Sequence, residues 1–403
     1  MSTSLLYHAF GIRDYQYVRS NYSEGKVIFS IRKDPTSLRC PCCNDWHVIR
    51  HGEKMRWLQT LPIGKRQVYI CLPVPRVECR ACDIVRQINI GFAEERRTFT
   101  LAFERYAIDL SCHMTILDVA RHLNVSWDVV KDIQKRYLTK RYGRPRLQEL
   151  ELIAIDEISI GRGHRYLTVV IDLHTGAVVF VGDGKGVEAL LPFWKKLHRA
   201  KAKIQAVAMD MSPSYISAVS THLSKAVIVF DHFHIIKMFN DKLSELRRDL
   251  QRDAQEAEKN IFKGTRWLLL KNPENLKEER KEKEHLEKAL QLNKPLATAY
   301  YLKEDLRQLW SQKTKDKATA FLDDWIIKAK GSEIKMLKDF AGTLDRHRNG
   351  ILAYYDYPIS TGPLEGTNNK IKTMQKQAYG FRDMTFFKLK IYALHEAKYA
   401  LVG

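Results

Sequence analysis

Three carboxylates stand where a folded sheet can put them to work. Asp156 follows the β-branched run 153–155, Asp210 follows 207–209, and Glu365 opens a helical stretch in Gly362-Pro363-Leu364-Glu365-Gly366-Thr367-Asn368-Asn369-Lys370. Acids that end neighbouring strands meet at one sheet edge, where open α/β sheets keep their chemistry. A set of hard oxygen donors with no thiolate favours magnesium, with manganese also admissible. Two such ions activate a water or a 3′-hydroxyl and stabilise the leaving oxygen of an in-line phosphoryl displacement. Singly, each acid reads as a cap or turn residue; the shared strand-end position tips the joint reading toward metal. Asp231 follows another strand-like run, and His234 and Lys237 come at three-residue steps on one helix face. They either orient the metal site or contact a phosphate, or they are a cap and two surface residues. Lys372 lies two helical turns beyond Glu365 on the same face, where its ammonium reaches a phosphate or merely meets solvent.

The cysteines carry a second chemistry. Cys40 and Cys43 enclose two residues, as do Cys79 and Cys82, and residues 44–78 separate the pairs. Two such turns aim four thiolates at one tetrahedral ion, which describes a closed structural zinc site in a ribbon. Cys42 competes with Cys40; the repeated two-residue gap favours Cys40 and Cys43. Buried cysteines without metal are the alternative. Cys71 and Cys112 read as ordinary buried thiols.

A third pattern covers 115–137. A short helix is followed by a tight turn in which Asn124 suits the left-handed conformation, and Ser126 is placed to cap the next helix with Asp128 in its first turn. With Val130, Ile133 and Tyr137 inward, Trp127, Lys131, Gln134 and Lys135 face out, as on a recognition helix in a major groove. A plain helical hairpin is the competing reading. The basic connector 140–146, with Arg141, Arg144 and Arg146, adds DNA-binding candidates and a domain boundary.

These groups need elements to hold them. Short strand-like runs at 27–31, 67–73 and 84–90, with Gly64 at a hairpin turn, accompany the cysteines, and short helices fill 98–138. Runs at 152–155, 166–173, 177–181, 204–209 and 226–230, with helices at 187–199 and 213–223, give the order β-β-β-α-β-α-β and a mixed sheet. Beyond 239 the chain reads as charged helices, with Leu243, Leu246 and Leu250 on one face and Leu302, Leu306, Leu309 and Trp310 on another. The 403 residues carry 67 Lys+Arg against 47 Asp+Glu, a net charge of +20, which points to a polyanionic partner. No run approaches the roughly 18 apolar residues of a spanning helix, and residues 1–10 lack the marks of a secretory signal, so the expected setting is cytoplasmic without a membrane partner.

Together, Cys40-Pro41-Cys42-Cys43 with Cys79-Arg80-Ala81-Cys82, Ile155-Asp156-Glu157, the run 166–173, Asp231-His232-Phe233-His234 and the run 364–372 continuing to Ala378-Tyr379-Gly380-Phe381 resemble the ISL-three family of bacterial insertion-sequence transposases. The resemblance implies a multidomain α/β protein: a zinc ribbon (1–95), a helix-turn-helix domain (96–146), and a ribonuclease-H-like mixed-sheet catalytic domain (147–238 and 347–403) around an all-helical insertion (239–346). It also implies a DDE triad of Asp156, Asp210 and Glu365 on two magnesium ions, with Asp231 and His234 as a shared Asp-x-x-His signature. The implied partners are the element's terminal inverted repeats, target DNA and further copies of the chain, in a nucleoid-associated setting. Gln377 departs from the family at a position that is often basic. A non-catalytic DNA-binding regulator and a nuclease without strand transfer are the alternatives.

Overall fold

The computed structural model describes residues 3–161, 163–254 and 265–395. The chain falls into two compact units, Met1–Arg144 together with Thr373–Gly403, and Pro145–Lys372. In the first, helix α1 (Thr3–Phe10) precedes strands β1 (Tyr15–Ser23), β2 (Lys26–Lys33), β3 (Val48–Ile63), β4 (Arg66–Cys79) and β5 (Ile84–Gln87). They pair in the order β1-β2-β4-β3, with β5 also on β4. Every pairing is antiparallel except that of β2 with β4. Gly64, at φ +60, turns the β3–β4 hairpin as its position predicts. Strands β1 and β3 were not evident in the sequence, and β5 stops short of the expected end at 90. Three helices follow: α2 (Leu101–Ser111), α3 (Ile116–Leu123) and α4 (Trp127–Tyr142). Thr115 caps α3, its hydroxyl accepting from the Asp118 N–H at 3.2 Å. Asn124 ends α3 in the left-handed conformation (φ 52, ψ 52). Ser126 takes the N-cap position of α4 but makes no side-chain capping bond, contrary to expectation.

In the second unit, β6 (Leu152–Gly161), β7 (Arg165–Asp172), β8 (Val178–Asp183), α5 (Val187–Ala200), β9 (Ala206–Met209), α6 (Pro213–His222), β10 (Val227–Phe230) and α7 (His232–Asp253) realise the expected order. The sheet runs β10-β9-β6-β7-β8. β6, β7 and β8 form an antiparallel meander, and the helical crossovers make β9 and β10 parallel to β6. Strand β9 is wholly buried, as a parallel strand covered on both faces must be. One expectation needs correction: β6 does not end at Asp156. β7 pairs it as far as Gly161, whereas β9 pairs it only through Ala154. Asp156 therefore stands where one neighbour ends, not where its own strand ends.

Beyond α7 come α8 (Thr265–Leu270), α9 (Glu282–Leu292), α10 (Lys294–Arg307), α11 (Lys315–Gly331), α12 (Lys335–Arg346), α13 (Arg348–Leu352) and α14 (Gly362–Gln377). The expected insertion includes residues 255–264, which lie outside the described residues. Sheet and helices share one core, in which Phe193 and Trp194 are continuous with Phe239, Leu243, Trp325 and Phe340. The buried Trp325 indole donates to the Leu302 carbonyl at 2.8 Å. Where the chain returns to the sheet, Gly350 lies against Phe230, and a Cβ there would meet the ring at 2.5 Å. Helix α15 (Met384–Ala393) belongs to the first unit and packs on α4, sharing a core of Phe103, Val119, Leu123, Ile133, Phe386 and Leu389. No helix of the described residues is long and apolar enough to cross a membrane.

Candidate active site and thiolate cluster

Register places three aspartates in one row. Ala154 pairs with Ala208 on β9, and Met209 pairs with Phe230 on β10. Continuing both ladders sets Asp156, Asp210 and Asp231 at one level on adjacent parallel strands, with strands about 4.8 Å apart and the side chains on one face. The Asp231 N–H donates to the Met209 carbonyl at 3.0 Å, carrying the ladder one residue past β10. Asp231 is only 2% exposed. Its Oδ2 accepts from the Thr361 hydroxyl at 2.7 Å, and His234 Nε2 lies 4.0 Å away.

Asp156 is the most constrained of the row. Its Oδ1 accepts from the Glu157 N–H at 2.8 Å, and its Oδ2 accepts from Asn368 Nδ2 at 3.0 Å. Burial pushes its carboxyl up to about 6, with the Asp210 and Glu157 charges adding to the rise and the Glu157 N–H and His234 opposing it. Glu157 faces the other way, its Oε2 accepting from the Tyr215 hydroxyl at 3.1 Å. Asp210 caps its own turn by accepting from the Ser212 N–H at 3.0 Å.

Glu365 is exposed in the first turn of α14, one turn before Asn368, which is 7% exposed. Residues three apart on a helix are neighbours, about 5–6 Å between Cβ atoms, so the Asn368 contact brings the Glu365 face toward the aspartate row. Asp156, Asp210 and Glu365 are not drawn within 4.8 Å of one another; among the described residues, that closeness belongs to a cysteine set. Lys237 and Lys372 are exposed. Asn368 and Thr361 were not assigned roles from the sequence. Asn368 carried a usable signal, since it follows Glu365 by one turn.

The cysteine set is Cys40, Cys43, Cys79 and Cys82. Sulfur separations of 3.5 Å (Cys40–Cys82), 3.4 Å (Cys43–Cys79) and 3.6 Å (Cys43–Cys82) approach the edge of about 3.8 Å for a tetrahedron with 2.3 Å zinc–sulfur bonds. Each pair ends in the same turn, with Asn44 at φ 61 and Asp83 at φ 50, and their N–H groups donate to the carbonyls of Cys40 (3.0 Å) and Cys79 (2.9 Å). The Cys43 and Cys42 N–H groups pull the Cys40 thiol down to about 6, whereas burial and the adjacent thiols push Cys82 up. Cys42 is exposed and outside the cluster, and its N–H donates to Cys40 Sγ at 3.4 Å. The donor set thus fits a structural zinc, with Cys42 as a buttress.

On the helix-turn-helix, the face expected to be outward is not presented as a whole. Trp127 is 42% exposed, but Gln134 is 5% exposed, and the Lys131 and Lys135 ammoniums lie 3.3 Å and 3.0 Å from Asp383. The inner stripe steps through Val130, Gln134 and Leu138, leaving Tyr137 38% exposed, because α15 covers that side of α4. Arg141, Arg144 and Arg146 are exposed.

Residues 153–391 match the family model described as a transposase, and residues 89–138 match the helix-turn-helix domain of transposase family ISL3. The transposase for insertion sequence element IS1001 of Bordetella parapertussis is 33% identical over 353 residues, covering 85% of each chain. That for insertion sequence element IS1557 of Mycobacterium tuberculosis is 29% identical over 401 residues, covering 92% of this chain and 89% of its own. Among solved structures, the Drosophila P element transposase strand transfer complex aligns at a TM-score of 0.39 and 14% identity, over 75% of this chain and 93% of that one. A mixed α/β chain with a helix-turn-helix, a four-cysteine cluster and these matches belongs to the ISL3 family of transposases.

Proposed function

We propose that the chain is a DDE transposase that cuts the ends of an insertion sequence and joins the freed 3′-hydroxyls to target DNA. The observation that carries this reading is the aspartate row across β6, β9 and β10, with Asn368 tying α14 to Asp156. The sheet order, a three-stranded antiparallel meander extended by two parallel strands, supports a ribonuclease-H-like catalytic domain built from 147–238 and 347–403 around the insertion 239–346. The zinc ribbon lies in 1–95 and the helix-turn-helix in 96–146. Asp156, Asp210 and Glu365 are the residues that would hold two magnesium or manganese ions, and the donor chemistry fits, since a divalent cation would offset the burial, and the smaller effect of the Asp210 and Glu157 charges, that raise the Asp156 carboxyl. When bound, such ions supply Lewis-acid activation of a water or 3′-hydroxyl and stabilisation of the leaving oxygen. Asn368 orients Asp156, and Thr361 with His234 fixes Asp231 at the β10 end of the row. Lys372 and Lys237 are the cations offered to DNA phosphates, with Arg141, Arg144 and Arg146 and the exposed Trp127 as further DNA contacts. The substrates are the element's terminal inverted repeats and target DNA, and pairing two ends calls for a homodimer or larger assembly in a bacterial cytoplasm, at the nucleoid.

The test is an assay on DNA carrying the element's ends, with magnesium, comparing wild type and Asp156→Ala. The expected result is end cleavage and joining by wild type and binding without cleavage by the variant. Binding without cleavage by wild type would replace the reading with a regulator; cleavage without joining would replace it with a nuclease.

A further inference from the structure

A hollow of about 690 Å³ lies beside the helix-turn-helix, between the N-terminal ends of α3 and α4 and the turn from α14 to α15. Its wall is aromatic and basic, lined by Trp127, Lys131, Phe381 and Phe386 together with Leu117 and the exposed Tyr379. Lys131 Nζ sits 5.1 Å from the Trp127 ring centre and 5.9 Å from that of Phe386, with Asp383 at 3.3 Å as its counter-charge. Arg382, also on the wall, is exposed.

Tyr379 is the anomaly. Helix α14 ends in a Schellman turn, in which the Gly380 N–H donates to the Gln375 carbonyl at 2.9 Å and the Tyr379 N–H to the Lys376 carbonyl at 3.2 Å. That turn needs a left-handed residue and is usually given glycine. Here the position is filled by Tyr379 at φ 51, and Gly380 at φ 98 comes one residue later. The tyrosine side chain is 100% exposed, so it buries nothing that offsets the strain of its backbone. A left-handed turn residue that buries none of its ring, beside a hollow lined by aromatic and basic side chains, leaves that ring free to meet a ligand.

We propose that Tyr379 and this hollow form a nucleobase site, in which an unstacked base of a frayed or single-stranded DNA end stacks on Tyr379 while Lys131 and Arg382 face its phosphates. Aromatic rings accept any base this way, and basic walls track the backbone. The proposal rests on the DNA-binding reading above but reaches beyond it, because duplex recognition by a helix-turn-helix needs no such hollow.

The test uses the full zinc-loaded chain and two labelled probes, a blunt DNA duplex and the same duplex extended by a short single-stranded tail of thymines. Wild type is expected to favour the tailed probe by roughly tenfold. Tyr379→Gly, which relaxes the turn and so cannot act by misfolding, should remove the preference while leaving blunt-duplex affinity unchanged; Tyr379→Trp should keep it. Equal binding of both probes by wild type, or a preference that survives Tyr379→Gly, would overturn the nucleobase site and leave the transposase reading intact. A wild type that binds neither probe would instead sink the DNA-binding reading, and this proposal with it.

Discussion

At the scale of single residues, the two metal-competent sets differ in how finished they are. The four sulfurs already stand at near-tetrahedral separations, so their turns hold the geometry that zinc requires. The acids are less gathered: among the described residues Asp156 has two donors fixing it, whereas Asp210 and Asp231 have one each. Two predictions follow from that contrast. Cys40→Ser should lose bound zinc and lower the stability of the first unit, whereas Cys42→Ser should keep its zinc, as read by metal analysis of the purified variants. Asn368→Ala removes one donor from Asp156 and frees the tie to α14; cleavage should fall about 10–100-fold, as loss of an outer-shell partner typically causes, with DNA affinity unchanged in a gel-shift measurement. Equal zinc content in both cysteine variants would refute the assignment of Cys40, and an Asn368→Ala enzyme of full activity would deny that residue its positioning role.

At the scale of elements, α15 shows how a helix can be both tied down and burdened. Its N-cap Asp383 accepts from the Phe386 N–H, and that bond, reinforced by Lys135 and Lys131, draws its carboxyl down to about 2. A depressed carboxyl contributes stability that is present above its unfolded value near 3.9 and is lost as pH falls toward 2, here by about 1–2 kcal/mol after allowance for partial exposure. Lys390 on the same helix has the opposite sign: burial lowers its ammonium to about 8. Its penalty is full below pH 8 and fades as pH rises toward the unfolded value near 10.4. Denaturation at a series of pH values should therefore find Asp383→Ala destabilised at pH 6, with the gap to wild type narrowing as pH falls toward 2. Lys390→Met should be more stable by roughly 1–3 kcal/mol at pH 7 and lose that advantage by pH 10. The strands around Asp156, Asp210 and Asp231 were legible in the sequence because each is a short apolar run beside an acid. Strand β3 was not, since Arg50, His51, Lys54 and Met55 lie exposed along an edge that pairs with β4. The face of α4 was misread for a related reason: Gln134 and Lys135 look like surface residues until α15, some 250 positions away in the chain, covers them.

Across the whole molecule, the net charge of +20 and the aromatic hollow make separable contributions to DNA binding. Charge acts by releasing counterions, so each phosphate neutralised adds about 0.9 to the steepness with which log affinity falls against log salt. Stacking releases none. The exposed arginines of the connector and the exposed tyrosine of the turn can therefore be told apart without a structure of the complex. Replacing Arg141, Arg144 and Arg146 with alanine one at a time should weaken binding of any duplex and reduce the salt slope by roughly one each time a phosphate contact is lost. Tyr379→Gly should leave that slope where it was and lower affinity only for DNA with an unpaired end. A salt titration of both kinds of variant on blunt and tailed duplexes reads the two contributions in one experiment. An unchanged slope in all three arginine variants would remove the connector from the DNA-binding surface and shift the search for its phosphate contacts to the remaining basic side chains.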